Sequence, residues 1–368
     1  MFIDRKNLFK LPFSKNNNPN GWIELTTFCQ LKCPHCYRKV GKGALEKTHR
    51  DLNSLFFEID ELVKIRNINI LSIAGGEPLL YPYLDDVIKY AVSKNLMTMI
   101  YTNGILLNKE RLSLFKKLGV TRIMIHIDKY QGRGGITSEV EANELRVKYC
   151  DLFREVGGVS LGFIMPISED NFQDLDVLIS FFKKNADVIK AVAFTPLSIV
   201  PPGEKLPVKK IDDIEKFYNK ARNLYGLEYC AYLGKTKLDE ISWLFSYNVF
   251  LGSEILGSVD KEVVEIIQDS YYKKTGGYFY VSNEIKLSWR LISLLLNKSI
   301  WKIIKNYTLS PNKSKITGQL FTFTNSPDNT ISGLSLCDGC PNAMLYKGKL
   351  IPSCLLEPIK EGCDIEVE

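Results

Sequence analysis

Three thiols sit close together near the N-terminus: Cys29, Cys33 and Cys36, spaced C-x3-C-x2-C. Thiolates at such spacing converge from one loop onto a single metal centre. Three ligands are one fewer than a closed tetrahedral zinc site needs, so a zinc here would borrow its fourth ligand, from His35 or His49. A 4Fe–4S cluster held by three cysteines would instead leave one iron open to another ligand. A second group opens the tail: Cys337, Cys340, Cys354 and Cys363, spaced C-x2-C-x13-C-x8-C. Four thiols suit a tetrathiolate zinc or a second iron–sulfur cluster equally. Cys150, inside a helical pattern, reads as a small buried apolar residue, and Cys230 could serve as an outlying ligand.

Other residues with chemistry fall at the ends of apolar runs. Gly75-Gly76-Glu77-Pro78 follows a run that ends in Ala74, and glycines let a backbone come close to a ligand. Thr102-Asn103-Gly104 ends the next run. His126-Ile127-Asp128 closes a third, and strand alternation sends His126 and Asp128 to the same side. A satisfied core histidine is the plainer reading of His126. Gln131 and Arg133 follow on a glycine-rich loop, where Arg133 either pairs with a carboxylate or stays solvated.

Taken in order, the three-cysteine loop after the first strand, Gly75-Gly76-Glu77-Pro78 after the second and Thr102-Asn103-Gly104 after the third resemble the radical S-adenosylmethionine (radical SAM) superfamily. The likeness covers residues 20–200. It implies that Cys29, Cys33 and Cys36 hold a 4Fe–4S cluster whose open iron chelates S-adenosyl-L-methionine. Reductive cleavage then gives methionine and a 5′-deoxyadenosyl radical, which abstracts hydrogen from a substrate carbon. By the same resemblance Gly75, Gly76, Glu77 and Pro78 receive the methionyl ammonium group. Asn103 faces the ribose or shapes its loop, His126 and Asp128 meet cofactor or substrate from the barrel interior, and the backbone at His35 lies near the adenine. Ser160, Gly162 and Thr195-Pro196 are further adenine-side positions.

The tail cysteines resemble the SPASM or shorter twitch extension without reproducing the full seven-cysteine SPASM set. An auxiliary 4Fe–4S cluster is the expectation, and zinc the alternative. Enzymes with such extensions often act on peptides, which favours a peptide or protein side chain as substrate. A small molecule or lipid precursor is the second reading, and a non-catalytic iron–sulfur or zinc-stabilised binding protein the third. A reductant such as flavodoxin or ferredoxin is the implied electron donor.

The elements that must position these residues alternate. Apolar strand patterns near Trp22–Leu25, Asn67–Ala74, Met97–Tyr101, Val120–Ile127, Val159–Met165 and Ile189–Phe194 are separated by helical spacing over Leu52–Arg66, Leu84–Ser93, Lys109–Leu118, Glu139–Val156 and Phe172–Lys184. Near-continuous apolar strands predict a parallel sheet covered by helices. Pro166 reads as the end of the fifth strand. The fold expected is α/β: a partial (β/α)6 TIM-type barrel with a C-terminal helical and cysteine-rich extension. Its parts are a lead-in segment at 1–20, the barrel at 21–200, an aromatic-rich and mostly helical extension at 201–330, and the cysteine-rich tail at 331–368. Within the extension, helices are expected over Ile211–Leu224, Glu262–Ser270 and Leu287–Tyr307, after a boundary at Val200-Pro201-Pro202-Gly203.

Bulk properties exclude several classes. Hydrophobic residues make up 45% of 368, enough to fill a large core. A net charge of +6 with no long basic block does not argue for nucleic acid. No apolar run approaches the ~20 residues of a membrane span. Met1–Lys6 has no apolar signal core. Clustered cysteines without an export signal fit a reducing, cytoplasmic location.

Overall fold

The computed structural model describes residues 3–34, 36–38, 47–196, 214–279, 294, 297–311, 314–325, 327–330 and 333–362. After a short strand, β1 (Phe9–Lys10), strand and helix alternate: β2 (Asn20–Glu24), α1 (Leu52–Arg66), β3 (Ile70–Ala74), α2 (Leu84–Ser93), β4 (Met97–Thr102), α3 (Lys109–Leu118), β5 (Val120–His126), α4 (Glu139–Val156), β6 (Ser160–Ile167), α5 (Leu175–Lys184) and β7 (Ile189–Pro196). The first four helices have the bounds their periodicity predicts. Their ends are fixed by side chains that satisfy free backbone groups. Asp51 accepts from Ser54 N at the start of α1, and Ser138 and Glu141 form a capping box on α4. Gly119 ends α3 at φ 88°, in the left-handed region.

Strands β2 to β7 pair in chain order, all parallel. One register row, Ile23–Ile73–Ile100–Ile123–Leu161–Ile189, crosses all of them, and every member is fully buried. It faces Leu55, Ile59 and Leu62 of α1 and Leu178 and Phe182 of α5 in one core. Burying each such side chain contributes ~1.5–3 kcal/mol. Tyr101, Met124, Gly162 and Ala191 form a row on the opposite face. The sheet is open, because β2 ends it and pairs only with β3 among the described residues. Pro166 does not end β6, which runs on to Ile167 opposite Pro196. The proline lies past the last register pair with β5, His126–Ile164, in the edge-like setting where a strand tolerates it.

Beyond β7 the sheet continues. The chain adds α6 (Ile214–Tyr225), β8 (Ala231–Gly234), β9 (Ile241–Leu251), β10 (Glu254–Ser258), α7 (Lys261–Thr275), α8 (Lys298–Leu309) and β11 (Ile316–Thr324). β11 pairs parallel with β7 and antiparallel with β9; β9 pairs with β8, and β8 with β1. One eleven-stranded sheet results. The expected mostly helical extension thus also supplies long strands. β9 is buried along most of its length, so its apolar residues lack the two-residue alternation that marks a strand. Trp243 and Phe245 build a second core with Phe13, Leu233 and Leu320. The first residues of the helix expected over Leu287–Tyr307, up to 293, and the boundary at Val200–Gly203 lie outside the described residues.

The tail forms β12 (Asp328–Thr330), β13 (Gly333–Ser335), β14 (Ala343–Tyr346), β15 (Lys349–Pro352) and α9 (Leu356–Lys360). The β14–β15 hairpin packs beside the edge strand β2 and against α1. Met344 and Ile351 sit on Trp22 and Ala74.

Candidate functional site

β2 ends at Glu24 and hands the chain to the loop that carries Cys29, Cys33 and Cys36, all half-buried. The neighbouring strand ends hold this loop. Gly76 N donates to Thr26 O and Glu77 N to Phe28 O, both at 2.7 Å. Asn103 Nδ2 lies 3.7 Å from Cys29 Sγ and donates to Gln30 Oε1 at 3.1 Å. Cys33 Sγ lies 3.9 Å from Gln131 O. The turns after β3, β4 and β5 therefore all touch the thiol loop.

The close approach that Gly75 and Gly76 allow is to this loop's own backbone. A Cβ on Gly76 would run into Phe28 O, and one on Gly75 would meet Thr26 O at 2.7 Å. Gly75 also holds φ 137°, where side chains are rare. Pro78 starts a short 3-10 turn. Glu77 is fully buried. Its carboxylate accepts from Leu79 N at 3.0 Å, Thr102 Oγ1 at 2.6 Å and Asn103 N at 2.7 Å. Burial pushes this carboxyl above its usual range, against the pull of those donors and of Arg133.

His126 Nε2 contacts Asp128 Oδ2, as their shared side predicts. Asp128 is buried and also accepts from Tyr130 N at 2.6 Å. Burial opposes its ionisation, but His126, the Tyr130 amide and Arg146 hold the carboxyl below its ordinary value. Arg133 donates to Asn103 O, to His126 O at 3.2 Å and to Gln131 Oε1 at 2.7 Å. The two partners expected for it were a carboxylate or water. Carbonyl and amide oxygens take that place, and the arginine ties the β4 and β5 turns together. A pocket of about 670 Å³ opens beside this tie, lined by Leu31, Ile105, Arg133, Ile136, Glu144 and Lys148. His49 stacks on Phe28, ring centroids 4.5 Å apart. His35 lies outside the described residues.

The donor chemistry suits a three-thiolate centre. Burial pushes the Cys29 thiol up, and burial with the charges of Cys36, Asp128 and Cys29 pushes Cys33 up to about 12. Crowded thiols that suppress one another's ionisation are relieved by a bound cationic centre, which displaces their protons. Among the described residues no group of three or more Cys, His, Asp or Glu side chains stands ready as a metal cage.

The tail brings Cys337 and Cys340 together. Cys340 hydrogen-bonds Cys337, which holds the Cys337 thiol below and the Cys340 thiol above the usual range. Burial and the charge of Cys337 push Cys354 up to about 12. Arg66 donates to Cys340 O, and Lys235 pairs with Cys337 as an isolated bridge in the backbone. Asn18 donates to Gly339 O at 2.8 Å and Asn20 to Pro341 O at 2.9 Å. The lead-in segment thus clasps the tail thiol loop. Cys363 lies outside the described residues. Cys150 is fully buried, and Cys230 Sγ donates to Phe245 O at 3.5 Å inside the second core.

Sequence reading missed Glu24, Arg38 and Glu357, buried charges that meet beside the first thiol loop. The available signal was Glu24 itself, a carboxylate inside an apolar strand pattern.

Residues 23–182 match the family model of the radical SAM superfamily. Fe-coproporphyrin III synthase of Methanosarcina barkeri is 26% identical over 208 residues, which cover 53% of this chain and 48% of that protein. PqqA peptide cyclase of Granulibacter bethesdensis is 25% identical over 160 residues, covering 41% of this chain and 40% of the relative. The chain therefore spans less than half the length of these curated relatives. The crystal structure of Streptococcus suis SuiB bound to S-adenosylmethionine aligns with TM-score 0.45 and 17% identity, over 56% of this chain and 48% of that one. No described helix is long and apolar enough to cross a membrane.

Proposed function

We propose that this protein, whose residues 23–182 match the radical SAM family model, is an enzyme that reductively cleaves S-adenosyl-L-methionine and uses the 5′-deoxyadenosyl radical to take hydrogen from a substrate carbon. Cys29, Cys33 and Cys36 would hold a 4Fe–4S cluster. When bound, that cluster supplies the electron and an open iron position for the methionine amino and carboxylate groups. The chain's own residues position this chemistry. Glu77 fixes the turns after β3 and β4 to each other, and Asn103 steadies Cys29 and Gln30. Asp128 orients His126 at the end of β5. The carrying observation is that one loop, bearing all three thiols, is held by the turns after three successive parallel strands, where α/β folds keep their chemistry.

Cys337, Cys340 and Cys354, with Cys363, would hold an auxiliary 4Fe–4S cluster, with zinc as the alternative. A peptide or protein side chain is the favoured substrate, supported by the tail thiols and by the likeness to a peptide cyclase. The likeness to Fe-coproporphyrin III synthase supports the second reading, a small-molecule substrate. The electron donor would be a flavodoxin or ferredoxin type of reductant in the cytoplasm.

The test is anaerobic reconstitution, reduction and measurement of 5′-deoxyadenosine. Wild-type protein is expected to release it. Cys33→Ala is expected to release none and to lose iron, since the centre keeps only two of its protein ligands. No release from iron-replete wild-type protein, or unchanged iron and turnover in Cys33→Ala, would overturn the proposal.

A further inference from the structure

Arg38 lies two residues past Cys36, and its side chain is only 3% exposed. Its guanidinium meets two carboxylates. One is Glu24 at the end of β2, 3% exposed; the other is Glu357 of α9, 1% exposed. Glu24 also accepts from Trp22 Nε1 at 3.3 Å and from Tyr37 Oη at 3.4 Å. Lys360 Nζ sits 3.2 Å from Glu357 on its outer side. A buried charge left alone is costly, and removing one partner of such a set strands the other. Loss of any one of the three therefore leaves a buried charge without its counter-charge.

Their places in the chain give the set its meaning. Glu24 opens the thiol loop and Arg38 follows its last cysteine. Glu357 stands three residues past Cys354, one of the tail thiols. The two thiol centres, more than 300 residues apart in sequence, are joined by one buried ion pair. Two carboxylates against Arg38 and Lys360 leave the set with no net charge beside the loop.

We propose that the Arg38–Glu357 pair is a positioning device that locks the tail onto the N-terminal cysteine loop and sets the reduction potential of the centre those cysteines hold. This rests on the reading of Cys29, Cys33 and Cys36 as cluster ligands. Removing a negative charge from the set makes the centre easier to reduce, and removing the positive charge makes it harder.

The experiment uses the full chain, reconstituted anaerobically, with iron measured per chain. The N-terminal centre is followed as the reduced EPR signal that changes on adding S-adenosylmethionine. Its midpoint potential is titrated in wild type, Glu357→Gln, Arg38→Gln and Arg38→Lys. The expected result is a higher potential for Glu357→Gln, a lower one for Arg38→Gln and a value near wild type for Arg38→Lys. Glu357→Gln and Arg38→Gln shifting in the same direction, or neither shifting, would overturn the proposal. Loss of iron in both charge-removing variants with full recovery in Arg38→Lys still supports the positioning role. Loss in all three overturns it, since charge would not be what matters. If wild-type protein shows no signal that responds to S-adenosylmethionine, the reading of the cysteine loop fails, and this proposal with it.

Discussion

Gly76→Ala tests whether the Gly75-Gly76-Glu77-Pro78 turn is built to touch the thiol loop. The added methyl would collide with Phe28 O, a backbone atom that cannot swing aside. Relief requires the turn and the loop to separate, which breaks the Gly76 N–Thr26 O and Glu77 N–Phe28 O bonds, both 2.7 Å. Each such bond contributes about 0.5–1.5 kcal/mol, and forced overpacking costs about 1–3 kcal/mol. Together the variant loses about 2–6 kcal/mol. Domains of ordinary stability hold only about 5–15 kcal/mol, so release of the loop is the cheaper response where the loss is large. The control is Gly134→Ala, whose added methyl would have no atom within 4 Å. It is expected to stay within about 0.5 kcal/mol of wild type. The assay is urea unfolding of the metal-free proteins, followed by iron content after anaerobic reconstitution. Gly76→Ala is expected to unfold at lower urea and to bind less iron. A glycine kept only for a bound ligand would leave the metal-free midpoint unchanged. That result would refute the contact argument.

Cys340→Ala is expected to remove metal from the tail while leaving uncoupled release of 5′-deoxyadenosine and stopping product formation; metal analysis beside Cys33→Ala separates the two centres. Asp128→Asn is expected to destabilise the protein at neutral pH. Because the folded carboxyl titrates below the unfolded value of 3.8, the wild-type advantage is full above that value and is lost as pH falls through the lower folded value; urea midpoints at neutral pH and near pH 3 check it. Ile100→Ala, in the middle of the buried row, is expected to cost about 2–5 kcal/mol by the same unfolding assay.

The barrel half was legible because each of its elements obeys one rule. α1 and α4 show a 3.6-residue apolar spacing with a cap at the start, and the periodicity alone locates both ends. The thiol loop was legible from spacing. What local sequence could not carry was partnership across distance. Nothing near Arg38 points to Glu357, and nothing near Asn18 points to Gly339. β9 escaped for a different reason: with both faces covered, its residues need no alternation. Arg133 was misjudged because a cation on a glycine-rich loop usually faces water, whereas here neighbouring turns offer it three oxygens.

The register of β11 has a consequence for how this chain can be divided. Leu320 to Phe323 lie along Ala191 to Phe194, and Phe323 stacks on Phe194 with centroids 5.1 Å apart. A fragment stopped near residue 200 would expose the flank of β7 as a bare, sticky ribbon of amides beside an uncovered phenyl ring. Such a truncation is a poor candidate for a minimal working unit. The two halves share a seam, and slow-exchanging amides should run through it without a break.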